Sequence, residues 1–171
     1  MRCVNVLVFL VVFLSLAVAL PAADWPNFRG PTFDGISPEQ GINKNWNQKP
    51  PKLLWKVAMS DDGYAGPSVA NGRVFIIDHK ENQDVVRAID IKTGKDVWQY
   101  SYENADKNDL GFSRATPTID RGRVYTLSHP GLINCLDAKT GKKLWPRRPD
   151  SFPFPLLRLN NAFHTRSFAG S

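Results

Sequence analysis

The chain has 171 residues, of which 42% are hydrophobic, and a formal net charge of +6. That length and apolar share allow a folded core, while a total of two cysteines excludes a disulfide scaffold, a cysteine-rich metal finger and a c-type haem attachment sequence. The charge is concentrated at the ends, at Arg2, Arg147, Arg148, Arg158 and Arg166, so residues 24–145 carry 17 basic against 15 acidic side chains and give nucleic-acid binding no support.

Residues 1–23 read as a secretory signal peptide. Arg2 precedes an apolar run from Val6 to Leu14 that resumes from Leu16 to Leu20, and cleavage sites of small residues follow at Ala17-Val18-Ala19 or near Ala22-Ala23. The run falls short of the roughly 20 apolar residues that a bilayer span needs, so no membrane span is expected after cleavage. Cys3 leaves with this segment. Cys135 then stands alone, and is expected to be a small buried hydrophobe.

Residues 24–52 form a lead segment dense in Pro, Gly and aromatics. It opens with Asp24-Trp25-Pro26-Asn27-Phe28-Arg29-Gly30-Pro31 and continues to Asp34-Gly35-Ile36-Ser37. Lacking helical or strand periodicity, it is expected to be an ordered loop held on the body by its aromatics. Leu53-Leu54-Trp55-Lys56-Val57 follows and reads as a strand, the last of a blade whose other strands lie elsewhere.

An eleven-residue phrase then occurs twice. Ala88-Ile-Asp90-Ile-Lys-Thr93-Gly94-Lys95-Asp-Val-Trp98 returns as Cys135-Leu-Asp137-Ala-Lys-Thr140-Gly141-Lys142-Lys-Leu-Trp145. Upstream, Gly72-Arg73-Val74-Phe75 is matched by Gly122-Arg123-Val124-Tyr125. Gly72 and Gly122 are 50 positions apart whereas Gly94 and Gly141 are 47 apart, which places three extra residues of the first unit between Asp78 and Val85. That polar stretch is expected to be a hairpin loop, where an insertion leaves the register intact. Each unit supplies four short strands, in the first at about 67–70, 73–78, 85–90 and 96–102. A period in the 40s built this way predicts a β-propeller blade rather than a helical solenoid. The second strand is apolar on both sides, with Val74 and Ile76 facing one way and Phe75 and Ile77 the other, as stacking between neighbouring blades would require.

The fold class expected is therefore all-β, a β-propeller of four-stranded blades of which two are present. A closed ring takes at least four blades, so residues 53–145 read as a truncated propeller of one closing strand plus two blades. Residues 146–171, with prolines at 146, 149, 153 and 155, contain nothing like the repeat and read as an aberrant tail.

The repeated phrase resembles the tryptophan-docking motif, A-x-D-x-x-T-G-K-x-x-W, of quinoprotein-type propellers, departing from it only at Cys135. The lead phrase is similar to the start of exported bacterial proteins called PQQ-like. The resemblance implies a family that includes pyrroloquinoline-quinone (PQQ) dehydrogenases and the propeller scaffold of the outer-membrane β-barrel assembly machine. It implies structural roles for Ala88, Asp90, Thr93, Gly94, Lys95, Trp98, Asp137, Thr140, Gly141, Lys142 and Trp145. Gly94 and Gly141 would supply positive φ, Asp90 and Asp137 would accept turn amides, and each Trp would lie between blades with its N–H on a carbonyl.

Other chemistries fit poorly. A calcium loop at Asp90 would need an oxygen ligand where Lys92 stands. Gly94-Lys95 and Gly141-Lys142 lack the upstream glycine and following Ser or Thr of a P-loop. His79, His129 and His164 have no second ligand at metal spacing, and the first two are expected to be solvated loop residues. Asp62, Tyr64 and Arg114 precede the innermost strands and are the candidates for a channel-mouth site. No catalytic residue or metal site is assigned. The expected role is an exported binding or scaffold module of the bacterial envelope, periplasmic or secreted, with a protein or envelope component as partner and no cofactor. The alternative is a portion of a PQQ-dependent alcohol or sugar dehydrogenase, which would carry PQQ with calcium.

Overall fold

The computed structural model describes residues 23–60, 63–105, 112 and 115–147. The expected signal peptide up to residue 22, the candidates Asp62 and Arg114, and the tail from residue 148 lie outside the described residues.

Among the described residues, eight strands form two antiparallel four-stranded meanders. The first sheet runs β1 (Ser68–Ala70), β2 (Arg73–Lys80), β3 (Gln83–Asp90) and β4 (Asp96–Glu103); the second runs β5 (Thr118–Asp120), β6 (Arg123–Leu127), β7 (Ile133–Asp137) and β8 (Lys143–Arg147). The same turn chemistry opens each meander. Asn71-Gly72 and Arg121-Gly122 both take positive φ at both positions, as two-residue hairpins between twisted strands demand. The third and fourth strands slip register at the same place in both sheets, after Ala88 and after Cys135.

The sheets pack through one face of each. Phe75, Ile77, Val86, Ala88 and Tyr102 of the first sheet meet Ile119, Val124, Leu136 and Ala138 of the second, with Trp98 and Tyr100 packed against the cluster. Alternation puts Phe75, Ala88 and Trp98 on one level of that face, since they are register partners. The corresponding residues of the second sheet, Tyr125, Cys135 and Trp145, point to its far face. The first sheet therefore offers one face to the second sheet and the opposite face to residues 55–60.

Four expectations need correction. The polar stretch at 79–84 is not a loop: β2 and β3 pair out to Lys80 and Gln83 around a two-residue turn, so the extra residues lengthen the ladder. The second strand is not equally buried on both sides, because Phe75 and Ile77 are buried at the seam whereas Val74 and Ile76 are half-buried. Leu53–Val57 is not a paired strand, there being no partner strand beside it among the described residues, although its Trp55 is anchored as described below. The last strand continues two residues past Trp145, to Arg147, with Pro146 on the outermost strand of its sheet.

The lead segment is also held differently from expectation. Phe28, Phe33 and Trp46 are about half exposed, so aromatics do not hold it down as a group. Its backbone does. Trp25 exchanges two 2.8 Å hydrogen bonds with Val69 on the free edge of β1, and the Pro26 carbonyl accepts from the Ile119 N–H on β5 at 2.8 Å. The Asp24 carboxylate accepts from the Asn71 N–H, and the Trp25 ring closes over Gly30, where a β-carbon would stand 2.7 Å from it. The segment thus crosses from one sheet to the other along their first strands.

Candidate functional site

The two Thr-Gly turns have the same geometry. Asp90 Oδ1 accepts from the backbone N–H groups of Lys92 (3.0 Å) and Thr93 (2.8 Å) and from the Thr93 hydroxyl (2.9 Å). Asp137 Oδ1 accepts from Lys139, Thr140 and the Thr140 hydroxyl at 3.1, 2.8 and 2.8 Å. Stabilising the charged form, above all by the threonine hydroxyl, holds both carboxyls below the usual range. The turns close with Gly94 N–H on the Asp90 carbonyl and Gly141 N–H on the Asp137 carbonyl. The groups these carboxylates accept from all belong to their own turns.

Each turn receives a tryptophan from the preceding unit. The Trp98 indole N–H donates to the Ala138 carbonyl at 3.1 Å, and its ring lies so close to Gly141 that a β-carbon there would come within 2.6 Å of it. Trp55 repeats this on the first sheet: its N–H donates to the Ile91 carbonyl at 2.8 Å, and a β-carbon on Gly94 would meet its ring at 2.7 Å. Both glycines are required twice, once for φ near +70° and once for the ring. Ala88 and Cys135 are completely buried beside Trp98 and Trp145, their register partners. Burial pushes the Cys135 thiol up, which leaves it protonated and inert.

The other face of the first sheet, turned towards residues 58–60, carries a polar cluster. Arg87 grips Asp96 with two bonds of 3.0 and 2.9 Å, approaches Asp78 at 3.5 Å, and donates to the Ala58 carbonyl at 3.1 Å. Its bonds to Asp96 raise the guanidinium and lower the carboxyl, each fixing the other's charge. Asp78 accepts from the Ser60 N–H at 2.9 Å. Residues 55–60 are therefore pinned to the first sheet at Trp55, Ala58 and Ser60.

His79 is not a solvated loop residue. It is buried, with Nδ1 2.9 Å from Asp84 Oδ1, Nε2 2.6 Å from the Glu81 carbonyl, and its ring stacked at 3.4 Å on Phe112. The other Asp84 oxygen accepts from the Asn104 amide at 2.9 Å. This pair fastens the connection after β4 to the β2–β3 hairpin. His129, by contrast, is exposed in the loop after β6.

Of the channel-mouth candidates only Tyr64 is described, and it is 70% exposed. The structure brings it to no polar partner group that would make a site. Phe112, from the Gly111–Arg114 stretch, is spent on His79. Sequence reasoning missed the Arg87 clamp and the His79–Asp84 pair. The available signals were an arginine within an apolar strand and a histidine-to-aspartate spacing that a tight hairpin places side by side. No group of three potential metal ligands exists among the described residues.

Comparison with known proteins places these two sheets. The chain is 31% identical over 87 residues to the quinohemoprotein alcohol dehydrogenase of Comamonas testosteroni, covering 47% of this chain and 12% of that protein. It is 27% identical over 129 residues to the outer membrane protein assembly factor BamB of Moranella endobia, covering 68% and 32%. The crystal structure of the Comamonas enzyme superposes with a TM-score of 0.54 at 25% identity, covering 73% of this chain and 19% of that one. The chain thus spans a third or less of the relatives it matches, and the two sheets are blades of a β-propeller. Residues 45–154 match the family described as outer membrane protein assembly factor BamB, and the chain belongs to that family of PQQ-type propeller repeats.

Proposed function

We propose that this chain is part of an exported β-propeller that serves as a binding or scaffold module of the bacterial cell envelope. The observation that supports this most is the use made of the repeated motif. Asp90, Thr93, Gly94 and Trp98, with Asp137, Thr140 and Gly141 in the second unit, are engaged in building turns and joining the two blades. The ring closed by such joints offers loops and edges to a macromolecular partner. The similarity to an outer membrane protein assembly factor points the same way. Export rests on the signal-like residues 1–23.

A second reading is favoured by the match to quinoprotein alcohol dehydrogenases. The module would then be part of an enzyme carrying PQQ and calcium at the channel mouth, near Asp62, Tyr64 and Arg114. One experiment separates the two. Purified protein is mixed with PQQ and Ca²⁺, free ligand is removed, and retained quinone absorbance and dye-linked alcohol oxidation are measured. The scaffold reading expects neither. Retained quinone with alcohol-dependent dye reduction, abolished by Asp62→Asn or Arg114→Ala, would replace it with the dehydrogenase reading.

A further inference from the structure

The polar end of the seam between the two blades contains side chains whose hydrogen bonds are not made by protein. Asn134 is fully buried, Thr126 is 2% exposed and Tyr102 is 7% exposed. The Tyr102 hydroxyl, the Thr126 hydroxyl and both polar atoms of the Asn134 amide lack a hydrogen-bond partner. Thr126 and Asn134 are register partners on β6 and β7, and the Tyr102 hydroxyl lies beside Thr126 and Asp84. Three residues from two blades thus converge on one place. Leaving so many buried donors and acceptors unpaired would forfeit their hydration with nothing in return.

The first blade shows what the place is for. Aligning Ala88 with Cys135 puts Arg87 at the position of Asn134, and aligning Phe75 with Tyr125 puts Ile76 at the position of Thr126. Arg87 spans its seam to the Ala58 carbonyl, three residues beyond the docked Trp55. Asn134 faces the equivalent stretch beyond Trp98 with a side chain several atoms shorter. Its Asp96 counterpart is Lys143, which reaches over the Tyr100 ring instead. The second seam therefore keeps the polarity of the position but lacks the length to bridge it.

We propose that ordered water fills this gap, bound by the Tyr102 hydroxyl, the Thr126 hydroxyl and the Asn134 amide, and completes the joint that Arg87 makes directly in the first blade. Water suits the set because each group can both donate and accept, and a buried water needs two to four such partners. A cation does not suit it. The nearby carboxylate, Asp84, already bonds through both oxygens to His79 and Asn104.

The test uses the full chain. Magnetisation transfer from water to the Asn134 side-chain amide protons is expected, as is solvent density about 3 Å from the three groups in a crystal. Absence of both, or a direct Asn134–Tyr102 hydrogen bond, overturns the proposal. Variants give a second readout. Asn134→Leu should lower Tm, because expelling the water strands two hydroxyls, and the triple Asn134→Leu, Thr126→Val, Tyr102→Phe should recover Tm above the single variant. A triple variant no more stable than the single one, or a single variant more stable than the parent, also overturns it.

Discussion

The two blades share a phrase and an end, and differ at the other end. At the Thr-Gly end the carboxylate bonds agree to within 0.1 Å, and each turn takes a tryptophan from the preceding unit in the same way. At the hairpin end, blade one has a long ladder closed by Glu81-Asn82 and stiffened by His79 and Asp84, whereas blade two has a five-residue loop from Ser128 to Leu132. Each joint between units needs one turn and one ring. The hairpin end varies because neither the turn nor the ring of a joint lies there.

The greatest loss of stability is expected at the shared joint. Trp98→Ala removes a ring from the seam together with its bond to Ala138, and should cost about 3–5 kcal/mol by chemical denaturation. Trp55→Ala should cost less, since Trp55 anchors one segment and not a whole sheet. Equal losses would mean that the seam between the sheets contributes no more than the docked strand does. The next largest effect is expected at the variable end. Asp84→Ala leaves the buried His79 without its carboxylate and should cost about 3 kcal/mol.

The glycines separate ring contact from backbone strain. Gly141→Ala and Gly94→Ala meet a tryptophan ring as well as positive φ, while Gly72→Ala and Gly122→Ala meet open space. The first pair should exceed the second, which should cost about 1 kcal/mol each from backbone strain alone. If all four lose the same stability, the rings move aside and the close approach is not required.

Asp90 and Asp137 give the pH test. Their folded carboxyls are held below the ordinary value, so their contribution is present above about pH 4 and fades as pH falls through the lowered folded value. Urea midpoints should therefore fall in acid, and Asp90→Asn with Asp137→Asn should flatten that dependence. The smallest effect is a gain. Arg121 occupies the φ +45° position where blade one has Asn71, so Arg121→Asn should stabilise by about 0.5–1 kcal/mol.

Most of the shared end was legible because the turn and the ring recur at fixed spacing, and a repeat reveals which residues serve the repeat. The variable end was not. His79 to Asp84 reads as solvent-seeking by polarity, yet two polar side chains opposite each other across a tight hairpin satisfy one another and can be buried. Arg87 was equally hidden, since Asp78 and Asp96 each lie nine positions away on neighbouring strands. The strand around Trp55 was recognisable by that residue, but a strand is defined by its partner, and sequence does not supply one.

The crossing of Trp25 and Pro26 from β1 to β5 bears on the order in which the protein can be built. The Pro26 carbonyl is made before the Ile119 N–H that it receives, by roughly ninety positions or about 5–20 s at ordinary translation rates. The Trp25–Val69 bonds can form as soon as β1 is made, while the Pro26 carbonyl waits for β5. The crossing is consequently completed only after the whole first blade has been made, and anything that binds Asp24–Asn27 in that interval would delay the joining of the two blades.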